Sequence, residues 1–142
     1  VRLLVCGSRT WEDPDPISAL IVGYGVLSRR RSERFVVIHG GCRTGADAHA
    51  AWSAHRWGVE QIVVPAEWDR DGRRAGPDRN QRMLAEYPEV AWAFRNAGSS
   101  RGTDDMIDRA RRAGVSTYVV SAATVEGDRS TLVRDSPKGV GR

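Results

Sequence analysis

Four clusters in this chain combine residue types and spacing that could hold an anion or move a proton. The first is Gly7-Ser8-Arg9, directly after an apolar run. Glycine lets the backbone approach a ligand closely, serine offers a hydroxyl, and arginine offers a charged fork. The same triplet would also serve as a tight turn with a solvated arginine. The second is Gly40-Gly41-Cys42-Arg43-Thr44-Gly45-Ala46-Asp47, where a β-branched run passes into an alanine-rich stretch. Free N–H groups at a helix N-terminus form an anion site together with the helix dipole. Thr44 could cap that helix or donate to a phosphate oxygen. The loop has neither the Gly-Lys-Ser/Thr ending of a Walker loop nor the Gly-x-Gly-x-x-Gly spacing. Its plainer reading is a glycine-rich turn with Asp47 stabilising the first helical turn.

The third cluster is Gly98-Ser99-Ser100-Arg101-Gly102-Thr103-Asp104-Asp105, again between a strand-like run and a helical one. Two such loops at one sheet edge would make a binding crevice where one alone would be a turn. The fourth is Pro65-Ala66-Glu67-Trp68 with Ala75-Gly76-Pro77-Asp78-Arg79-Asn80. Trp68 could stack on a base, Glu67 could accept hydroxyl bonds, and Arg79 could reach a phosphate near a helix start. Otherwise Trp68 packs at the rim and Asn80 caps its helix.

The elements that must position these residues follow from hydrophobic periodicity. Leu3–Cys6, Phe35–His39, Gln61–Val64, Val90–Phe94 and Val115–Val120 read as strands. Helices are expected from Pro14 or Pro16 to Leu27, from Ala46 to Trp57, from Asn80 to Tyr87, and from Gly102 to Ala113, with 67–78 as a loop. Five near-continuous apolar strands alternating with helices imply an α/β fold. The expected architecture is a Rossmann-like, doubly wound, mainly parallel five-stranded sheet with helices on both faces. Ligands of such sheets bind at the carboxyl ends of the strands, where all the unusual residues fall. One domain is expected over 1–125, with a flexible Gly-, Asp- and Arg-rich tail over 126–142.

Bulk properties restrict the function classes. The chain has 142 residues, 40% of them hydrophobic, and a net charge of +4, which suits one globular domain with its own core. Nearly all of its basic residues are arginines, Lys138 being the one lysine, and arginine is the better bidentate phosphate partner. Two cysteines, Cys6 and Cys42, make no disulfide framework. His39, His49 and His55 have no metal-ligand spacing, so no metal or cofactor is implied. His39, at a strand end, reads first as a structural histidine and otherwise as a crevice residue. No stretch of eighteen apolar residues exists to cross a membrane, and Val1–Val5 reads as a buried strand, not a signal peptide. The cytoplasm is the expected address. Trp52, Trp57 and Trp92 read as core or interface residues.

The ordered set Gly7-Ser8-Arg9 with Trp11, Gly40-Gly41…Gly45-Ala46-Asp47, Pro65-Ala66-x-Trp68, Ala75-Gly76-Pro77-x-Arg79-Asn80-x-x-Met83 and Gly102-Thr103-x-x-Met106 resembles the YspA-like branch of the SLOG superfamily. The resemblance covers roughly residues 2 to 120. That superfamily also contains the cytokinin-activating "lonely guy" phosphoribohydrolases and the DNA-processing protein A fold. The resemblance implies a Rossmann-like fold that binds nucleotides or their derivatives, with ADP-ribose-like ligands proposed for this branch, and frequent homo-oligomers. In the phosphoribohydrolases an arginine followed by a lysine, and a glutamate in Gly-Gly-x-Gly-Thr-x-x-Glu, form the catalytic centre. Arg79 stands in a comparable place, but Met106 occupies the glutamate position and Ser99-Ser100 replaces the glycine pair.

Three readings result. The leading one is a binding or sensor domain for a nucleotide-type small molecule such as an ADP-ribose-like ligand or a nucleoside monophosphate. Its contacts would be Gly7, Ser8, Arg9, Gly40, Gly41, Thr44, Gly45, Asp47, Trp68, Gly76, Arg79, Asn80, Gly102 and Thr103. The second is a nucleotide hydrolase in which Arg9 and Arg79 hold phosphate and Glu67, Asp47 or Asp104 is the acid or base. The third, less favoured, is single-stranded nucleic-acid binding along Arg29-Arg30-Arg31, Arg73-Arg74 and Arg111-Arg112; steep salt dependence would mark it.

Overall fold

The computed structural model of the chain describes residues 1–98, 100–121 and the backbone of 132–133. Its strands are β1 (Arg2–Gly7), β2 (Val36–His39), β3 (Glu60–Val63), β4 (Val90–Arg95), β5 (Ser116–Ser121) and β6 (Leu132–Val133). Its helices are α1 (Asp15–Arg30), α2 (Gly45–Arg56), α3 (Trp68–Asp71), α4 (Ala75–Leu84) and α5 (Arg101–Arg112), with a 3₁₀ turn at Gly72–Arg74 between α3 and α4. The sheet order is β3-β2-β1-β4-β5-β6. The first five strands are parallel, as expected, and β6 adds a short antiparallel edge to β5. β6 falls inside the stretch expected to be a flexible tail; the rest of 126–142 lies outside the described residues.

Side-chain alternation along β1 explains both layers. Leu3 and Val5 point to one face, against Ile17 and Ile21 of α1 and Ala46, Ala50 and Ala54 of α2. Leu4 and Cys6 point to the other, against Met83 of α4 and Met106, Ile107 and Ala110 of α5. A strand buried on both faces must be apolar at every position, and Leu3, Leu4 and Val5 are fully buried. The chain winds outward from β1 to β3, then returns to place β4 on the other side of β1. The strand order therefore reverses between β1 and β4, where a crevice opens at the carboxyl ends.

Two expectations need correction. Residues 67–78 are not a loop: they hold α3, the 3₁₀ turn and the start of α4. Pro77 does not delay α4, because a first-turn residue has no N–H bond to lose. Asn80 consequently sits inside α4 and caps nothing. Of the core-or-interface reading of the tryptophans, the core half fails for Trp52 and Trp57, which are 60% and 54% exposed, whereas Trp92 is half-buried and stacked on Tyr118 with ring centroids 4.7 Å apart. No helix among the described residues is long and apolar enough to cross a membrane.

Candidate functional site

A cleft of about 670 Å³ opens over the carboxyl ends of β1 and β4. One wall is the β1 end and the loop after it, from Cys6 to Thr10; Cys42 and Asp47 stand at the start of α2. The opposite wall comes from the α3–α4 segment, with Trp68, Arg73, Gly76, Pro77, Arg79, Asn80 and Met83. The end wall is Asn96, Ala97 and the first turn of α5 with Ser100, Arg101, Gly102, Thr103 and Asp105. Among the sequence-derived candidates, the cleft thus gathers Gly7, Ser8, Arg9, Asp47, Trp68, Gly76, Arg79, Asn80, Gly102 and Thr103. Gly40, Gly41, Thr44, Gly45, Glu67 and Asp104 do not line it.

The floor is built from hydroxyls in series. Asn96 donates its backbone N–H to Ser8 Oγ at 3.0 Å. Ser8 Oγ lies 3.3 Å from Ser100 Oγ, which in turn donates to Thr103 Oγ1 at 2.8 Å. A hydroxyl has one proton, and that of Ser100 is spent on Thr103, so Ser8 must donate to Ser100. The series ends at Thr103, whose own proton has no acceptor among the described residues. Beside it, the backbone N–H groups of Arg101, Gly102 and Thr103 lack partners among the described residues, as the first turn of a helix leaves them. Ser100 occupies the N-cap of α5 without a side-chain cap bond.

The second glycine-rich loop behaves differently. Gly41 N–H donates to His39 Nδ1 at 3.1 Å, Cys42 N–H to Asp47 Oδ2 at 3.2 Å, and Ala46 N–H to Ser8 O at 3.2 Å. Three of the loop's amides are thus taken by acceptors of the protein itself, and the Asp47 carboxylate stands where a bound anion would. Thr44 is at the N-cap of α2 but makes no cap bond through its side chain. The glycines serve close packing. Gly45 has φ +72°, and a Cβ there would collide with Ser8 O. A Cβ on Gly40 would collide with Arg79 Nη1 and lie 2.7 Å from Asp47 Oδ2. His39 is 1% exposed; its Nδ1 accepts from Gly41 and its Nε2 lies 2.8 Å from Gln61 Oε1. The accepting Nδ1 leaves the proton on Nε2, which donates to Gln61, so the ring is structural.

Arg79 crosses from α4 to this loop, donating from Nη1 to Gly40 O at 2.9 Å and from Nε to Asn80 Oδ1 at 3.2 Å. Asn80, 3% exposed, donates to Gly102 O and to Asp105 Oδ2 at 3.1 and 2.9 Å. It thereby ties α4 to the open end of α5. Burial pushes the Asp47 carboxyl above its ordinary range, against the opposing charge of Arg79 and the Cys42 N–H bond. Burial likewise raises the Cys6 thiol far above its ordinary value, so it lines the floor as a neutral group. Arg9 lies over Trp68, its guanidinium carbon 5.3 Å from the ring centroid, joining both walls at the mouth.

The two remaining acid/base candidates stand apart. Asp104 is paired with Arg95 at 2.6 Å, and that bond holds its carboxyl below the ordinary range. Glu67 is exposed at the N-cap of α3. Met106, at the position where the resemblance would put a glutamate, is fully buried in the core behind the cleft. Sequence reasoning missed Thr10 and Asn96, whose only signal was their place just beyond β1 and β4. It also placed Arg73 only on the nucleic-acid surface of the third reading, although Arg73 lines the cleft. Arg29–Arg31 and Arg111–Arg112 close helices that run antiparallel to the strands, so they lie at the sheet edge opposite the cleft and share no surface with Arg73.

Residues 1–70 match the model of the YspA, cpYpsA-related SLOG family. The chain is also similar to the Gene 61 protein of Mycobacterium phage D29, with 32% identity over 121 residues, which span 80% of this chain and 91% of that protein.

Proposed function

The chain belongs to the YspA, cpYpsA-related SLOG family, and on that premise we propose that the cleft binds a nucleotide or nucleotide-derived ligand as a sensor or carrier domain. The observation that carries this reading is charge: Arg9, Arg73, Arg79 and Arg101 line one cleft, and none has a carboxylate salt-bridge partner among the described residues. Several guanidiniums converging on one concave site suit a phosphorylated ligand. In this reading a phosphate rests on the α5 amides and the free Thr103 proton, with Arg101 beside it. The base lies against Trp68 in place of the Arg9 guanidinium, and the released Arg9 turns to phosphate. Asp47 accepts from a ribose hydroxyl.

Binding is favoured over hydrolysis because Met106 is buried in the core and supplies no group to stabilise a ribosyl cation. The test is calorimetry and thermal shift with AMP, ADP-ribose, NAD and inorganic phosphate, followed by a search for released base. Nucleotide binding without product, weakened about ten-fold by Trp68→Ala, is the expected result; stacking on an aromatic is worth roughly 1–3 kcal/mol per base. Product formation abolished by Arg79→Ala would make the protein an enzyme instead. No response to any nucleotide at millimolar concentration would overturn the reading.

A further inference from the structure

The segment from Glu67 to Arg74 borders the mouth of the cleft with little to hold it there. Neither α3 nor the 3₁₀ turn after it contributes a buried residue. Its surroundings differ: Val64 before it is buried, and so are Ala75 and Gly76 after it. Its polar contacts are local as well. Arg70 and Asp71 donate their N–H groups to Glu67 O and pair with each other through their side chains, and Arg74 is paired with Asp78. Among the described residues, no hydrogen bond or ion pair joins 67–74 to the chain before 67 or beyond 78. Few buried contacts and few bonds to the rest of the fold mark a part that opens at low cost.

Both flanks of the segment are fixed, and one point within it can turn. Before it, Val64 N–H donates to His39 O at 2.9 Å, and Pro65 O accepts from Arg82 Nη2 at 2.8 Å. After it, α4 is held by the bonds of Arg79 and Asn80. Between α3 and the 3₁₀ turn stands Gly72, at φ +54° and ψ −127°, a conformation that any Cβ opposes. Gly72 is exposed and a Cβ there would meet open space, so the glycine answers to the backbone angle alone. Hinges are built from a few such residues at element ends.

One contact ties α3 to the opposite wall. The Arg9 guanidinium carbon lies 5.3 Å from the Trp68 ring centroid, and Arg9 belongs to the fixed loop after β1. We propose that α3 is a lid on the cleft, hinged at Gly72 and latched shut by the cation–π contact of Arg9 with Trp68. The ring that the latch occupies is the ring on which a base would stack. Ligand and Arg9 therefore compete for Trp68, and the ligand enters when α3 swings out. That competition rests on the nucleotide reading above; the hinge and the latch do not.

Limited trypsin digestion of the full native chain tests the lid, because Arg70 lies within α3 and Arg73 and Arg74 follow its hinge. Mass spectrometry reads the sites and their rates, which follow the population of the open form. Arg9→Gln and Trp68→Ala are each expected to speed cleavage at these three arginines about two- to five-fold, the range of an exposed cation–π pair, and nowhere else. The double variant should be cut no faster than the faster single one, since both changes break one contact. Saturating AMP should slow lid cleavage in the wild type. Lid cleavage that neither variant changes, that rises equally across the chain, or that multiplies in the double variant would overturn the latched lid. AMP that binds by calorimetry yet leaves lid cleavage unchanged would overturn the competition. AMP that fails to bind would count against the nucleotide reading, and the variants would still decide the lid.

Discussion

Residues 40–47 and 98–105 look alike as sequences, each a glycine-rich passage from a strand end into a helix, and they differ in what fills their amides. In the first, Asp47 and His39 take the N–H groups of Cys42 and Gly41, and Ser8 takes that of Ala46. In the second, the first-turn amides of α5 and the last hydroxyl of the series beside them, that of Thr103, have no acceptor among the described residues. The first loop has its anion built in, and the second is open to receive one. Glycine content therefore marks close approach of some kind; whether the approaching group is the chain itself or a ligand depends on where the nearest acceptor lies.

The largest effect is expected from breaking the closed loop. Gly45→Val puts a branched side chain at φ +72° against Ser8 O. A loss of about 3 kcal/mol in unfolding free energy is expected from strain and collision together. Chemical denaturation would measure it; a loss under about 0.5 kcal/mol, the range of ordinary surface substitutions, would mean that the loop relaxes freely.

The comparison sharpens if the open loop is made to resemble the closed one. Ser100→Asp places a carboxylate at the N-cap of α5, where it can accept from the free amides. Ligand affinity should fall at least ten-fold, ~1.4 kcal/mol, while stability rises by roughly 0.5 kcal/mol from the cap and the helix dipole. Titration calorimetry and a melting curve read the two changes. A variant that binds nucleotide as the wild type does would show that the α5 amides are not the anion site.

A smaller effect separates the two aspartates by pH. The folded state raises the Asp47 carboxyl and so holds its proton more tightly than the unfolded chain. Stability contributed through Asp47 falls as pH rises from the ordinary 3.8 toward the raised value. Asp47→Asn removes that fall, so its stability relative to wild type should climb over this window and then level. Asp104 is the reverse, its carboxyl lowered by Arg95. Its contribution is present above 3.8 and is lost as pH falls through the lowered value, so the Asp104→Asn deficit should vanish in acid. That deficit is expected to be about 0.5 kcal/mol at neutral pH, as for a half-exposed ion pair. Denaturation series from pH 3 to pH 7 would show opposite slopes; parallel slopes would refute the contrast.

Much of the fold was legible because its signals are local. Leu3–Cys6 and Val90–Phe94 are apolar at consecutive positions, which only a strand covered on both faces requires, and Ala46–Ala54 reads as helix by propensity alone. The errors arose where local rules compete. Residues 67–78, Pro77 among them, read as a loop, yet a first-turn position tolerates proline; Asn80 looked like a cap until α4 proved to start five residues earlier. Trp52 read as core or interface by residue type, and only the tertiary packing shows that it is not core, being 60% exposed.

From the sequence alone, the βα alternation, the parallel sheet and the gathering of Gly7, Arg9, Trp68, Arg79 and Thr103 at strand ends were determined, since each follows from periodicity and chain direction. The tertiary structure alone decided which loop is open. That outcome rests on contacts such as Ser8 with Ser100, Arg79 with Gly40 and Asn80 with Asp105, made between segments at least 22 residues apart. A backbone N–H is satisfied or left free by whatever acceptor the fold brings within 3 Å or so, and no local pattern encodes that distance.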